Sequence, residues 1–486
     1  MVAASVAAAQ SAVSFVLHTT QLAPATSPIA VATGDFNADQ KLDLAVADND
    51  SGDVTVLLGN ADGSFVDPGA SFPIGMPQLT APSAIAVADV NGDGAPDLVV
   101  ADEFGDSVSV LLNQPQTLFG SAIISNTGTS PEAVVVADFD GDGIPDIATA
   151  DSLDNTVSVL QGNNNGQGKG DGTFVNRQPI QVGSEPVGLV AVDIDGDHNM
   201  DLVVANYSGG SVCSLTITQS CRTATDCPTS ETCETGNGSV TILKGLGHGT
   251  FQAVAELSAS CSNQPGMFCT ANADCPTGGT CTPIFNAPSA ITVTDLNKDK
   301  QVDLVISNEQ GDSVTVLLGN GDFSFQAPIT TAVGSFPESV VAADFDGDGK
   351  MDIATSDNFD DNVSVLIGLG NGTFMPDATF PVGAAPGAAP WGIAAADFNK
   401  DGRPDLVTAN MEEDSVSVLL NTPVSCTGDC NGNHAVTVDE ILTMVNIALG
   451  NAPLAACSAG DANQDMTITI DEILAAVNNA LTGCPV

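Results

Sequence analysis

Asp138-Phe139-Asp140-Gly141-Asp142-Gly143-Ile144-Pro145-Asp146 is the stretch whose reading decides the fold. Carboxylates stand at positions 1, 3, 5 and 9 of nine residues. Gly143 at position 6 supplies the left-handed backbone that a tight loop needs. On such a loop the four side chains and the position-7 carbonyl face one centre. Hard oxygens in that number suit Ca²⁺. Mg²⁺ wants a stricter, shorter octahedron, and soft metals want thiolate or imidazole. Without a cation the crowded carboxylates would repel one another.

The motif occurs seven times, opening at Asp35, Asp89, Asp138, Asp193, Asp295, Asp344 and Asp397. We number these copies loops 1 to 7. The candidate ligands, with the position-7 residue acting through its carbonyl, are as follows. Loop 1 offers Asp35, Asn37, Asp39, Lys41 and Asp43, and loop 2 offers Asp89, Asn91, Asp93, Ala95 and Asp97. Loop 3 offers Asp138, Asp140, Asp142, Ile144 and Asp146, and loop 4 offers Asp193, Asp195, Asp197, Asn199 and Asp201. Loop 5 offers Asp295, Asn297, Asp299, Gln301 and Asp303, and loop 6 offers Asp344, Asp346, Asp348, Lys350 and Asp352. Loop 7 offers Asp397, Asn399, Asp401, Arg403 and Asp405. Position 2 is apolar in every copy (Phe36, Val90, Phe139, Ile194, Leu296, Phe345, Phe398), so each loop is expected to be anchored in a core. Position 6 is Gln40, His198 and Lys300 in loops 1, 4 and 5, which predicts weaker sites there.

Each copy sits in a repeat of roughly fifty residues once a long gap after Asp193 is set aside. A Pro-led apolar strand precedes the loop, as in Pro131-Glu132-Ala133-Val134-Val135-Val136-Ala137. A second strand follows it, as in Asp146-Ile147-Ala148-Thr149-Ala150. An alternating β-branched strand comes next, such as Ser107-Val108-Ser109-Val110-Leu111. A Gly-rich turn then leads to Phe65, Phe119, Phe174, Phe251, Phe325 or Phe374, expected to open a fourth strand. Four short strands per repeat make a propeller blade. The last repeat lacks the fourth element, and Ser14-Phe15-Val16-Leu17-His18 supplies one at the other end. The expectation is an all-β, seven-bladed propeller over 14–421 closed by its N-terminal strand. An open solenoid is the competing arrangement.

The repeat resembles the FG-GAP or VCBS family, the unit of the integrin α-subunit propeller and of many secreted bacterial proteins. That resemblance implies a calcium-binding extracellular scaffold with up to seven Ca²⁺ ions in the propeller.

Twelve Cys residues, even in number and clustered, fit an oxidising compartment. Eight lie in the long gap as two like-spaced quartets: Cys213, Cys221, Cys227, Cys233 and Cys261, Cys269, Cys275, Cys281. Two disulfides per module are expected, with three pairings open in each. Zinc is the alternative, though neither Cys pairs at two-residue spacing nor His ligands are present. The modules interrupt connections expected to emerge on the face opposite the acidic loops. That insert-bearing face is the expected contact surface for a protein or glycan.

Beyond a linker at 422–425 the pattern changes. Two twelve-residue loops offer oxygens at spaced positions, each followed by a helix. The first has Asp429, Asn431, Asn433, Ala435, Thr437 and Glu440; the second has Asp461, Asn463, Asp465, Thr467, Thr469 and Glu472. The expected apolar stripes are Ile441, Leu442, Val445, Ala448, Leu449 and Ile473, Leu474, Val477, Ala480, Leu481. Residues 426–486 resemble a dockerin, a tandem EF-hand module without entering helices. The resemblance implies up to two further Ca²⁺ ions and docking to a cohesin-like partner. At loop positions 10 and 11, where the family often has Ser-Thr, this chain has Val438-Asp439 and Ile470-Asp471. Cys426, Cys430, Cys457 and Cys484 are expected to form two disulfides, with Cys426 bonded to Cys484 clasping the ends. A self-contained stabilising cap is the competing reading.

Composition narrows the function. The 486 residues carry 60 acidic and 10 basic side chains, a formal net charge of −50. Asp outnumbers Glu by 48 to 12, which favours turns and oxygen ligands over acidic helices. So few cations exclude phosphate-rich partners such as nucleic acid. No apolar run reaches transmembrane length. Residues 1–13 read as a signal-peptide remnant, with Ala7-Ala8-Ala9 as a cleavage site, or as a disordered tail. The four His residues (His18, His198, His248, His434) sit in the closing strand, in loops and in a turn, where none meets a nucleophile. Trp391 and Tyr207 are the only large stacking platforms. These features favour a non-enzymatic binding or adhesion scaffold, secreted or attached to a bacterial surface. The alternatives are a dockerin-bearing polysaccharide-degrading enzyme and a purely structural surface protein.

Overall fold

Each Pro-led strand pairs antiparallel with the strand that follows its acidic loop. In the loop 3 repeat Pro131–Ala137 pairs with Asp146–Asp151, in a register running from Pro131 opposite Asp151 to Ala137 opposite Asp146. Thr156–Asn164 and Gly170–Asn176 complete that sheet, with Ile180–Gln181 adding a short fifth strand. A computed structural model describes residues 13–23, 26–75, 80–114, 117–208, 211–213, 233–235, 237–269, 274–276, 279–422, 427–430, 436–461 and 466–482. Contacts divide the chain into two units. One is Leu17–Ala343 with Lys350–Leu420; the other is Met1–Val16 with Asp344–Gly349 and Asn421–Val486.

The described strands of the first unit all pair antiparallel. The same order recurs around loops 1, 2, 4 and 5 and in the strands flanking loops 6 and 7. Second strands such as Asp43–Asp48 and Asp97–Asp102 are buried on both faces. They therefore read as near-continuous apolar runs, because neighbouring sheets cover them on either side. Leu98, Val100 and Leu111 pack on Val54, Val56 and Ile74; Leu304, Ile306 and Leu317 pack on Val203, Ile242 and Leu257. Each such side chain contributes roughly 1.5–3 kcal/mol by leaving water. The chain's first and last sheets also share a core, in which Leu44, Val46 and Leu57 meet Phe398, Val407 and Val418. The N-terminal strand pairs beside the last alternating strand Ser415–Thr422. There the Leu22 N–H donates to the Asp414 carbonyl at 2.8 Å.

The turn-plus-Phe element is less uniform than expected. Phe65 opens its outer strand, and Phe174 and Phe251 lie in theirs. Phe325 and Phe374 form only isolated bridges, to Gly319 and Gly368; the continuous strands begin later, at Ile329 and Ala378. Phe119 belongs to a two-residue strand, and the outer strand there is Ile123–Asn126. In these repeats the Phe anchors the turn and the chain straightens only afterwards.

The first insert leaves after Asp201–Ser208 and returns before Ser239–Gly245. Side chains of Cys213 and Cys233, and all of Cys221 and Cys227, lie outside the described residues. The second insert folds as a three-stranded sheet of Ala259–Cys261, Gln264–Cys269 and Cys281–Pro283. Its disulfides are Cys261–Cys275 and Cys269–Cys281, which settles the open pairing there.

In the second unit, helices span Val438–Ala448 and Ile470–Thr482, around a core of Val436, Met444, Cys457, Ile468 and Ala476. A disulfide joins Cys430 to Cys457; Cys426 and Cys484 lie outside the described residues. The expected apolar stripes hold at Ile441 and Ile473, which pack against this core, and are corrected at the Leu positions. Leu442, Leu449, Leu474 and Leu481 are exposed, while Met444 and Ala476 are fully buried. The packed face is rotated from the Leu positions because the helices meet through smaller and more flexible side chains. Ser14 and Phe15, which open the N-terminal strand, also group with this unit: the Thr422 hydroxyl donates to the Ser14 carbonyl, and the Phe15 and Phe345 rings lie 6.3 Å apart.

Candidate metal loops

A loop that brings several carboxylates together must fix its own backbone first. In all seven copies the position-6 N–H donates to Oδ2 of the position-1 Asp, at 2.8–2.9 Å. In loop 3 the Asp142 N–H also donates to Asp140 Oδ1 (3.1 Å), and the Ile144 N–H to Asp142 Oδ1 (2.8 Å). Position 6 is left-handed throughout, including Gln40 (φ 66°), His198 (φ 69°) and Lys300 (φ 70°). Position 4 is left-handed as well, which the sequence reading missed. It is Gly in loops 2, 3, 4 and 6, but Ala38, Lys298 and Lys400 in the others. The recurring Asp-Gly-Asp-Gly string was the available signal.

The position-9 Asp does a second job. Asp146 Oδ2 accepts the Phe139 N–H (3.0 Å) and its Oδ1 accepts the Gly162 N–H (2.8 Å). Asp43, Asp97, Asp201 and Asp303 make the same two bonds in their repeats. One buried carboxylate thus ties the loop to the end of the third strand. The position-2 side chains it positions are all buried. Burial, then the neighbouring Asp charges, pushes Asp97, Asp146 and Asp303 up to about 6, and raises Asp43 and Asp201 in the same direction.

The donor set fits a hard divalent cation. One oxygen each from Asp138, Asp140 and Asp146 lie within 4.8 Å of one another, as do those of Asp193, Asp195 and Asp197. Asp344, Asp346 and Asp348 form an equivalent group in the second unit. Loops 1, 2, 5 and 7 have Asn at position 3, so a neutral oxygen (Asn37, Asn91, Asn297, Asn399) stands in for one carboxylate. A cavity of about 940 Å³ opens between loops 1 and 2, lined by Asp35, Asn37, Asp93, Gly94, Gln114 and Leu118 among others.

In the C-terminal loops Met466 at position 6 is left-handed, and its N–H donates to Asp461 Oδ2 at 2.9 Å. Glu440 closes a capping box with Thr437 and also accepts the Cys430 N–H. Glu472 accepts the Thr469 N–H in the same way. Asp429 is buried. Asn431, Asn433, Ala435, Asn463 and Asp465 lie outside the described residues, as does His434.

At the strand ends opposite the loops lie groups that no motif flagged. Burial pushes Glu132 up to about 7 and Glu338 to about 8, with Glu103 and Glu309 adding like charge. The Tyr207 hydroxyl donates to Glu309 Oε1 at 3.0 Å, and Trp391 is 37% exposed.

A family model described as an FG-GAP-like repeat matches residues 35–100, 89–149, 138–204, 295–355 and 353–408. An FG-GAP repeat model matches 389–438. No curated protein matches the chain. Among solved structures, BBS1N in complex with ARL6DN, soaked with mercury, is similar at 11% identity and a TM-score of 0.50, covering 85% of this chain and 98% of that one. A catalytically inactive virginiamycin B lyase from Staphylococcus aureus with quinupristin has 14% identity, a TM-score of 0.48, and coverage of 84% and 99%. An Agrocybe aegerita lectin that recognises non-reducing terminal N-acetylglucosamine has 17% identity, a TM-score of 0.44, and coverage of 80% and 86%. At such identities the first likeness concerns fold alone, a propeller-like one, and the other two carry no argument.

Proposed function

The chain belongs to the FG-GAP-like repeat family, and from that premise we propose that it is a secreted, calcium-stabilised binding scaffold built as a closed seven-bladed propeller. The observation that carries this reading is the common loop geometry, the position-6 amide bound to the position-1 carboxylate in all seven copies, with oxygens that converge in loops 3, 4 and 6. The shared core of the first and last sheets supports closure. Calcium would be held by the oxygens at positions 1, 3, 5 and 9 and the position-7 carbonyl. It would supply the positive charge that the crowded carboxylates lack. Because the position-9 Asp also binds the third strand, occupancy of the loop would stiffen the blade. The opposite end, with the inserts, Tyr207 and Trp391, is left to contact a protein or glycan, and binding rather than catalysis is its role.

The C-terminal module would attach the scaffold to a partner or surface. Its exposed Val438, Leu442, Leu449, Ile470, Leu474 and Leu481 provide the apolar contact such docking needs. The test is a glycan and protein array probed with the full chain in calcium and again in chelator. Saturable binding that weakens in chelator is the expected outcome. Release of product from a polysaccharide panel would contradict it in favour of an enzyme.

A further inference from the structure

Loop 4 differs from its sisters in what lies over it. The third strand of each repeat passes beside its own loop, and one register position there is apolar in most repeats. It is Leu58, Leu112, Leu318, Ile367 and Leu420 in five of them, and Gln161 in the loop 3 repeat. In the loop 4 repeat it is Lys244, which follows Leu243, the partner of Leu202. The Lys244 ammonium donates to Asp195 Oδ2 and, at 2.7 Å, to Asp197 Oδ2. Two of the three loop carboxylates close enough to share an ion are therefore already paired.

A second substitution accompanies it. In four of the five other turns, Gly63, Gly172, Gly249 and Gly372 occupy a left-handed position two residues before the anchoring Phe. In the following repeat that position is Phe323, left-handed at φ 65° despite its side chain. Its ring lies over the Lys244 ammonium, 5.1 Å from centroid to Nζ. Leu112, Leu318 and Leu420 meet Gly172, Gly372 and Gly63 at the equivalent contact. An aromatic face attracts a cation. Charge and cover have thus been exchanged together, across two repeats.

We propose that loop 4 carries its own cation: the Lys244 ammonium, held under Phe323, takes the place a divalent ion would fill. Loop 4 would then be calcium-independent among calcium-dependent neighbours. This inference rests on the calcium reading of the other loops. The lone positive charge offsets only part of the loop's four Asp residues, yet it is tethered, so it cannot be removed by chelation or dilution.

Hydrogen exchange by mass spectrometry on the full chain tests it, in calcium and in EDTA. In the wild type, amides of 138–146 should exchange at least tenfold faster in EDTA, while those of 193–201 should not change. Lys244→Leu restores the residue common at this register and should make 193–201 respond to EDTA as loop 3 does. Lys244→Arg should preserve the insensitivity. A wild-type response at 193–201 equal to that at 138–146 overturns the proposal. If no loop responds in the wild type, the calcium reading fails instead. In that case faster exchange at 193–201 in Lys244→Leu still supports the built-in cation, and unchanged exchange there overturns it.

Discussion

Asp357→Asn should stabilise the protein, and increasingly so as pH rises. Asp357 ends its second strand with no solvent exposure. Its carboxylate accepts from the Thr355 hydroxyl (2.8 Å) and the Ser364 hydroxyl (2.6 Å). Burial above all pushes it from 3.8 up to about 7. The folded state therefore holds a proton that the unfolded state releases near pH 4, so stability falls as pH climbs from there towards 7. Three units correspond to about 4 kcal/mol at most, at and above pH 7. Asn is already proven at this register. Asn410 accepts from Thr408 (2.8 Å) and donates to Ser417 (2.8 Å), the same geometry with one proton reversed. The variant carries no titrating group there, so its advantage over the wild type should grow by about 3 kcal/mol between pH 5 and pH 8. Urea titrations of both proteins at the two pH values, followed by circular dichroism, measure that difference. An advantage that is flat with pH, or largest in acid, would refute the reasoning.

Further predictions follow from the loops and the sheet edge. Asp146→Ala orphans the buried Phe139 and Gly162 amides and should cost about 1–3 kcal/mol for each, seen as a lower melting temperature even in chelator. Gln40→Gly and Lys300→Gly relieve left-handed side-chain strain of roughly 1 kcal/mol each and should tighten calcium at loops 1 and 5 by calorimetric titration. Removing residues 14–20 strips the strand beside Ser415–Thr422 and should lower the melting temperature; an unchanged value would argue against that strand's closing role.

Much of this molecule was legible because its sequence repeats. The strand before each loop, the strand after it and the buried position-2 residue could be placed from spacing alone, since one loop motif fixes all three. What escaped the reading depends on contacts distant in sequence or on rotation about an axis. Lys244 lies 47 residues beyond Asp197, across an insert, so no local motif links them. Position 4 was overlooked because Ala38, Lys298 and Lys400 hide a left-handed turn behind ordinary side chains. Of the helical stripes, Ile441 and Ile473 pack on the core as the spacing implies, while Leu442, Leu449, Leu474 and Leu481 face outward and Met444 and Ala476 fill the buried positions. The outer strands after Phe119, Phe325 and Phe374 begin later than the Phe spacing implies, because each ring anchors the turn before the chain straightens.

The most direct measurement is calorimetric unfolding of the full chain in millimolar calcium and in EDTA. Each loop filled at a hundred times its dissociation constant adds about 2.7 kcal/mol to the folded state. The account predicts a melting transition that falls steeply when calcium is withdrawn and returns when it is restored. Superimposable transitions in the two buffers would contradict it.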